Sequence, residues 1–492
     1  MKQFKIYTTV ITLLISVYGF SQDNIFLNRD FWSSNPSIED VELKIKEGND
    51  IAQANGNNFD AVVYAILQDA PNATIEYIQS KKGNEVNKLT HDGRTYIFWA
   101  AYKGNVEFMK YLLSKGAKTD LTDDKGNTIL NFAASSGQQD TKVYDLCLAN
   151  GANLKKDLNP DGANALLLVA PSDKEFKLIN YFQSKGLDIN SVDKTGNGVF
   201  NYVARTGNIE LMNALLEKGV KGSNQAFLFA AYGTRGKTNG VEVYKYLESL
   251  GLNPNIFNEE GISPLHVIAS RSKDIELINY LLEKGLDVST KDLKGNSAVM
   301  NAASRNSLDV VKIFVSNLKA INDTNKKGQS ALSLAVNGNS SDVVEYLITK
   351  GHKTTIIDAE GNNLAYYLID SYSNRTKEQF SKKTELLKRN NLDLTAVQKN
   401  GNTWYHLAVE KNSIDLLKMA VDKNIDINAK NSEGNTTLIL AAMKAKDADI
   451  LKFLLEQGAD KSIVTYFDET AYDLAKENEL LKKNNISIEF LK

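Results

Sequence analysis

A glycine returns along this chain at Gly93, Gly126, Gly162, Gly196, Gly261, Gly295, Gly328, Gly361, Gly401 and Gly434. Most steps are 33–36 residues long, and the step from Gly196 to Gly261 spans two units. A period in this range means a stack of like supersecondary units, each too small to bury its apolar face alone. Such a stack grows by adding units, so the 492 residues need no division into globular domains. Stacks of this kind bind other molecules more often than they catalyse.

Each glycine opens the same sentence. Three residues earlier stands Asp or Asn (Asp123, Asn159, Asp193, Asn258, Asp292, Asn325, Asp358, Asn431), whose side chain can accept from backbone amides and hold a tight turn. Thr or Ser follows the glycine by two residues, placed to cap a helix, as at Thr95, Thr128, Ser263, Ser330 and Thr436. The first helix carries paired small residues, such as Ala133-Ala134 and Ala302-Ala303, that allow close neighbours. After a polar break the second helix shows apolar residues at helical spacing, as in Ile275, Ile278, Leu281 and Leu282. Units without the glycine start near Asn58 and Ser223. Two insertions, Gly233–Gly240 and Asp370–Lys383, are expected to lengthen the loops inside their units.

These residues resemble ankyrin repeats. Ser263-Pro264-Leu265-His266 is similar to the family's Thr-Pro-Leu-His motif, Leu454–Asp460 to its second-helix ending, and Thr470–Ala475 to its closing unit. The resemblance covers residues 58–492. Pro264 is the only proline at its motif position, and most motif histidines are replaced. What the resemblance implies is an all-α ankyrin-repeat solenoid: about twelve helix-loop-helix repeats with short hairpin turns, plus terminal caps. The repeats are expected over 58–467, starting near 58, 93, 126, 162, 196, 223, 261, 295, 328, 361, 401 and 434. Residues 22–57 would form an N-terminal cap and 468–492 a C-terminal capping repeat. His266 and His406, in the same register, would tie a helix to the neighbouring turn.

The N-terminus reads as an address. Lys2 and Lys5 precede the uncharged run Ile6–Val17, and Gly19 and Ser21 are spaced for cleavage after Ser21. A signal peptide over residues 1–21 is therefore expected. Its pattern resembles a bacterial one, placing the mature chain in the periplasm or the medium. Net charge is −2, from 58 Lys and Arg against 60 Asp and Glu, which lacks the basic footprint that nucleic acid requires. The single cysteine, Cys147, falls in an apolar helix and reads as a packed, inert thiol.

No catalytic constellation emerges. The four histidines (His91, His266, His352, His406) form no metal-ligand spacing, and no nucleophile elbow or phosphate loop is present. A tyrosine five residues before the helix-ending glycine (Tyr111, Tyr181, Tyr246, Tyr280, Tyr346) reads as a packing column along the second helices. Arginine is used eight times against fifty lysines, and three of the eight follow first helices of central units. With Tyr232 and the inserted Arg235, these residues, Arg205, Arg271 and Arg305, form the candidate partner-binding patch, since Arg and Tyr anchor interfaces. The expectation is thus a non-enzymatic, exported module of the cell envelope that binds a protein partner through the concave face the resemblance implies, with an immunity-like inhibitor of an exported enzyme or toxin, or an envelope scaffold, as alternatives. No cofactor, no nucleic acid and no membrane span after leader removal are expected, and the chain is expected to be monomeric.

Overall fold

A computed structural model describes residues 24–492; the leader expected over residues 1–21 lies outside the described residues. Among the described residues the chain forms twenty-eight α-helices, and β-structure is limited to isolated bridges such as Val192 with Gly198 and Lys291 with Ser297. The all-α repeat architecture is therefore present. The chain divides into two compact bodies. One runs to Val203 and takes in Asn213–Val220; the other is made of Ala204–Met212 and Lys221–Lys492.

One unit of the second body shows how sequence becomes structure. The Asp292 carboxylate accepts from the amides of Lys294 (2.9 Å) and Asn296 (2.8 Å), closing the turn. Gly295 follows with φ +80°, and a Cβ there would lie 2.7 Å from the Lys326 amide nitrogen of the next turn. Both the dihedral and the close approach exclude any side chain. The first helix, Ala298–Arg305, buries Ala302 and Ala303 completely. The second, Leu308–Ser316, buries Val310, Val311, Phe314 and Val315 and leaves its other face to solvent. Each such side chain contributes about 1.5–3 kcal/mol on leaving water.

Neighbouring turns are stitched by backbone. In the second body the amides of Leu293, Lys326, Ala359 and Ser432 donate to the carbonyls of Glu260, Lys294, Lys327 and Asn400 at 2.8–3.0 Å. In the first body Asp124 and Lys194 donate to Asp92 and Asp161 at 2.9 Å. Pro160 occupies the corresponding position of its turn and has no amide to give. Instead its ring lies against Gly126, where a Cβ would come within 2.7 Å of Pro160 Cγ.

Helix ends are stitched by side chains. A first helix of five to eight residues leaves most of its last carbonyls without intrahelical partners. The following unit supplies an amide for them. Asn306 Nδ2 donates to Ala269 and Ser272 O at 2.8 Å, Asn339 Nδ2 to Ala303 and Asn306 O at 2.9 Å, and Asn478 Nδ2 to Ala442 and Ala445 O at 3.0 and 2.9 Å. Gln138 does the same for Ala101 and Tyr102 in the first body, at 3.2 and 3.0 Å.

The insertion at 370–383 departs from expectation. It lengthens the loop, to residues 371–376, but only in part: residues from Lys377 onward belong to a thirteen-residue second helix, Lys377–Arg389. The reason is a buried stripe at helical spacing, Phe380, Lys383 and Leu387, within a run of strong helix formers. Lys383 is the part that sequence hides. Its ammonium is buried and donates to Val336 O (2.6 Å) and Ser371 Oγ (3.3 Å), replacing the asparagine used by other units, and burial lowers its pKa to about 8. At the chain ends, helices Ile38–Lys46 and Ala471–Glu477 lie within the segments read as caps.

Substituting Asn306 by Ala removes the donor from two buried carbonyls, each worth about 1–3 kcal/mol when left unsatisfied. The variant is expected to shift urea unfolding to clearly lower denaturant, whereas Ala at exposed Asn279 leaves the midpoint within error.

Candidate functional site

The Gly233–Gly240 insertion is a tight, held turn. Thr234 and Lys237 exchange backbone hydrogen bonds (2.9 and 3.2 Å), which puts Arg235 and Gly236 at the tip. Gly233 has φ +56°, and a Cβ on it would stand 2.3 Å from Lys237 O, so the strand can leave the helix only from a glycine. Asn239, buried below, donates to Ala230 O (2.9 Å) and to Arg205 O (3.1 Å).

Two of the candidate arginines brace this turn. Arg205 Nε donates to Gly233 O at 2.8 Å, and Arg271 Nη2 donates to Thr234 O at 3.2 Å. They approach carbonyls of adjacent residues, one from the preceding unit and one from the following unit. Tyr232, half-buried at the end of its helix, has a phenol raised above its ordinary pKa by burial, with Glu260 adding to the rise and Arg205 opposing it. Arg235 is exposed at the tip. Arg305 is exposed at the end of the adjacent first helix, in the place that Arg271 occupies in its own unit. Neither makes a hydrogen bond or ion pair with the described residues. The structure thus gathers Arg205, Tyr232, Arg235 and Arg271 about one turn and sets Arg305 one unit along.

The motif residues do different work. Pro264 fills the first helical position, Leu265 is fully buried, and Ser263 caps the helix. His266 Nδ1 accepts from the Ser263 amide (3.2 Å), so Nε2 carries the proton and donates to Thr290 O (2.9 Å). His406 repeats this with the Thr403 amide (3.2 Å) and Asn435 O (3.0 Å). Burial lowers the pKa of both rings, keeping them neutral fasteners.

Several groups lie elsewhere. His352 is buried with both ring nitrogens unpaired, beside the equally unpaired Ser289 hydroxyl, in a small cavity also lined by Asp323; burial holds its pKa down to about 4. Cys147 is buried in helix Thr141–Ala149, and its thiol is pushed up to about 12. The tyrosine column packs: Tyr181 donates to Asp145 and Tyr280 to Glu248 (both 2.9 Å), and Lys185 and Lys284 pair with the same acids. Arg94 escaped the sequence reading. It lies buried 4.1 Å from the Phe132 ring centre, donates through Nε and Nη2 to Asp123 (3.0 and 2.9 Å), and pairs with Asp92. The turn aspartate and the aromatic at successive first helices were the available signal.

Stacked helix pairs joined by turn-to-turn backbone bonds, with side chains displayed from turns and first-helix ends, define a repeat protein with a recognition surface. The chain belongs to the ankyrin-repeat family: the family model for ankyrin repeats matches residues 51–157, 227–318, 265–358 and 379–465. It is similar to the human transient receptor potential cation channel subfamily A member 1, at 24% identity over 53% of this chain and 24% of that protein. It is also similar to the phosphocholine transferase AnkX of Legionella pneumophila, at 24% identity over 44% of this chain and 21% of that protein. The chain spans about a quarter or less of the length of the first curated relatives it matches. Among solved structures, the human ASB11 ankyrin repeat domain aligns at 18% identity and a TM-score of 0.36, over 45% of this chain and 96% of that domain. Among the described residues no helix is long and apolar enough to cross a membrane.

Two measurements follow from this geometry. Replacing Arg205 and Arg271 together by Ala is expected to speed hydrogen exchange at the Thr234 and Lys237 amides while leaving the amides of helix Leu308–Ser316 protected. For His352, the folded ring titrates near 4 and the free ring near 6.5, so stability is complete above about 6.5 and is lost as pH falls toward 4. The loss is about 3 kcal/mol at most. His352→Leu should flatten that part of the stability profile, read as unfolding midpoint against pH.

Proposed function

We propose that this chain is a non-catalytic protein-binding module that is exported and engages one protein partner through its turns and first-helix ends, centred on Arg205, Tyr232, Arg235, Arg271 and Arg305. Ankyrin repeats are protein-protein interaction modules, and membership of that family is the general support. The observation that carries the particular reading is the braced turn at 233–240. An insertion that would otherwise be a loose loop is fixed by Asn239, Arg205 and Arg271, and ends on an unpaired arginine. Surfaces held in advance lose little entropy on docking, and Arg with Tyr supplies strong anchors. Export to the periplasm or the medium is proposed from the leader pattern alone.

Crosslinking in an envelope or secreted fraction tests this directly. One partner recovered at a fixed ratio is the expected result, with affinity lowered tenfold or more by Ala at Arg205, Arg271 and Arg305. That factor corresponds to about 1.4 kcal/mol. Binding unchanged by the triple substitution retires the patch, and N-terminal sequencing of the mature chain checks cleavage after Ser21.

A further inference from the structure

We propose that the braced turn receives an acidic segment of the partner, whose carboxylates meet Arg235, Arg305 and the unused N–H groups of Arg205 and Arg271; this rests on the protein-binding reading above. The chain's own habits carry the inference. A cation at the end of a first helix recurs, and elsewhere an acid from the preceding unit answers it. Lys103 pairs with Asp69 at 2.6 Å, Lys411 with Asp370 at 3.1 Å, and Lys444 with Glu410 at 3.8 Å. Arg271 and Arg305 hold the same place in their units, and neither forms an ion pair with the described residues. In the loop where another unit carries Asp69, this one carries Arg235 and Lys237, both exposed. Two acids near the turn are Glu242, whose carboxylate lies beside Gly240, and Glu260, which acts on Tyr232. Neither forms an ion pair with these cations.

The hydrogen-bond inventory points the same way. A guanidinium has five N–H donors, and the bonds to the turn use one of Arg205 and one of Arg271. A carboxylate takes two parallel N–H groups from one arginine, an arrangement that lysine cannot offer. Several arginines with an excess of donors and no ion-paired acid therefore suit a chain bearing several carboxylates. The rest of the protein is near neutral, so the attraction is local and falls with salt.

The test uses the full mature chain and a labelled decaglutamate peptide, followed by fluorescence anisotropy, with decalysine and oligothymidylate as comparison probes. Decaglutamate is expected to bind at low salt, weaken as salt rises, and lose about tenfold or more in affinity in the Arg235→Ala/Arg305→Ala variant. Neither of these arginines holds the fold, so the variant's unfolding temperature should match the parent's, which separates lost binding from lost structure. No decaglutamate binding at low salt, binding indifferent to the two substitutions, or oligothymidylate bound as tightly each overturns the proposal. If crosslinking recovers a partner whose binding ignores salt and both substitutions, the acidic segment is wrong while the protein-binding reading stands. If no partner is recovered at a fixed ratio, that reading fails by itself.

Discussion

Short helices leave polar backbone groups without partners at their ends, and this molecule depends on how those groups are satisfied. A helix of five to eight residues cannot satisfy its last carbonyls by itself, and water is excluded where first helices pack on one another. The solution is to place the missing donor in the following unit, as Asn306, Asn339 and Asn478 do. The turn ladder applies the same device to the backbone. Stability is therefore shared between neighbours, and the alanine pairs matter chiefly because they bring the donors close enough.

That constraint explains why so much of the fold was legible. The Asp or Asn, the glycine and the Thr or Ser are each required by one local bond, so their spacing marks the turn and the helix start. Apolar spacing in the second helices is less direct: of Ile275, Ile278, Leu281 and Leu282, the structure buries Ile278 and Leu281, exposes Ile275, and buries Leu277 and Tyr280 beside them. Lys383 failed to announce itself because a charged residue in a polar run reads as solvated, and only burial against Val336 reveals its role. Arg94 was hidden for a related reason: its partners, Asp123 and Phe132, come from the next unit.

The candidate patch could be listed from the sequence as a set of residues, but the bonds those residues make could not. Scarcity of arginine drew attention to Arg205, Arg271 and Arg305, and the structure does assemble Arg205 and Arg271 with Tyr232 and Arg235. Yet Arg205 and Arg271 each give one bond to the backbone of the inserted turn, so they shape the surface as well as display charge. A sequence cannot show that an arginine faces a carbonyl from an adjacent repeat. The same holds for His352, whose lack of any partner is a property of the cavity around it.

The rungs made by Gln138, Asn306, Asn339 and Asn478 point one way along the chain: donors belong to the later unit and acceptors to the earlier one. The stack consequently has polarity. A nascent chain leaving the ribosome ends in a set of open oxygens that the next module closes, as the segment bearing Asn478 does for Ala442 and Ala445. Loss of that segment would leave without donors acceptors that packing keeps from water, whereas loss of a module from the other end would free donors, side-chain amides and turn N–H groups alike.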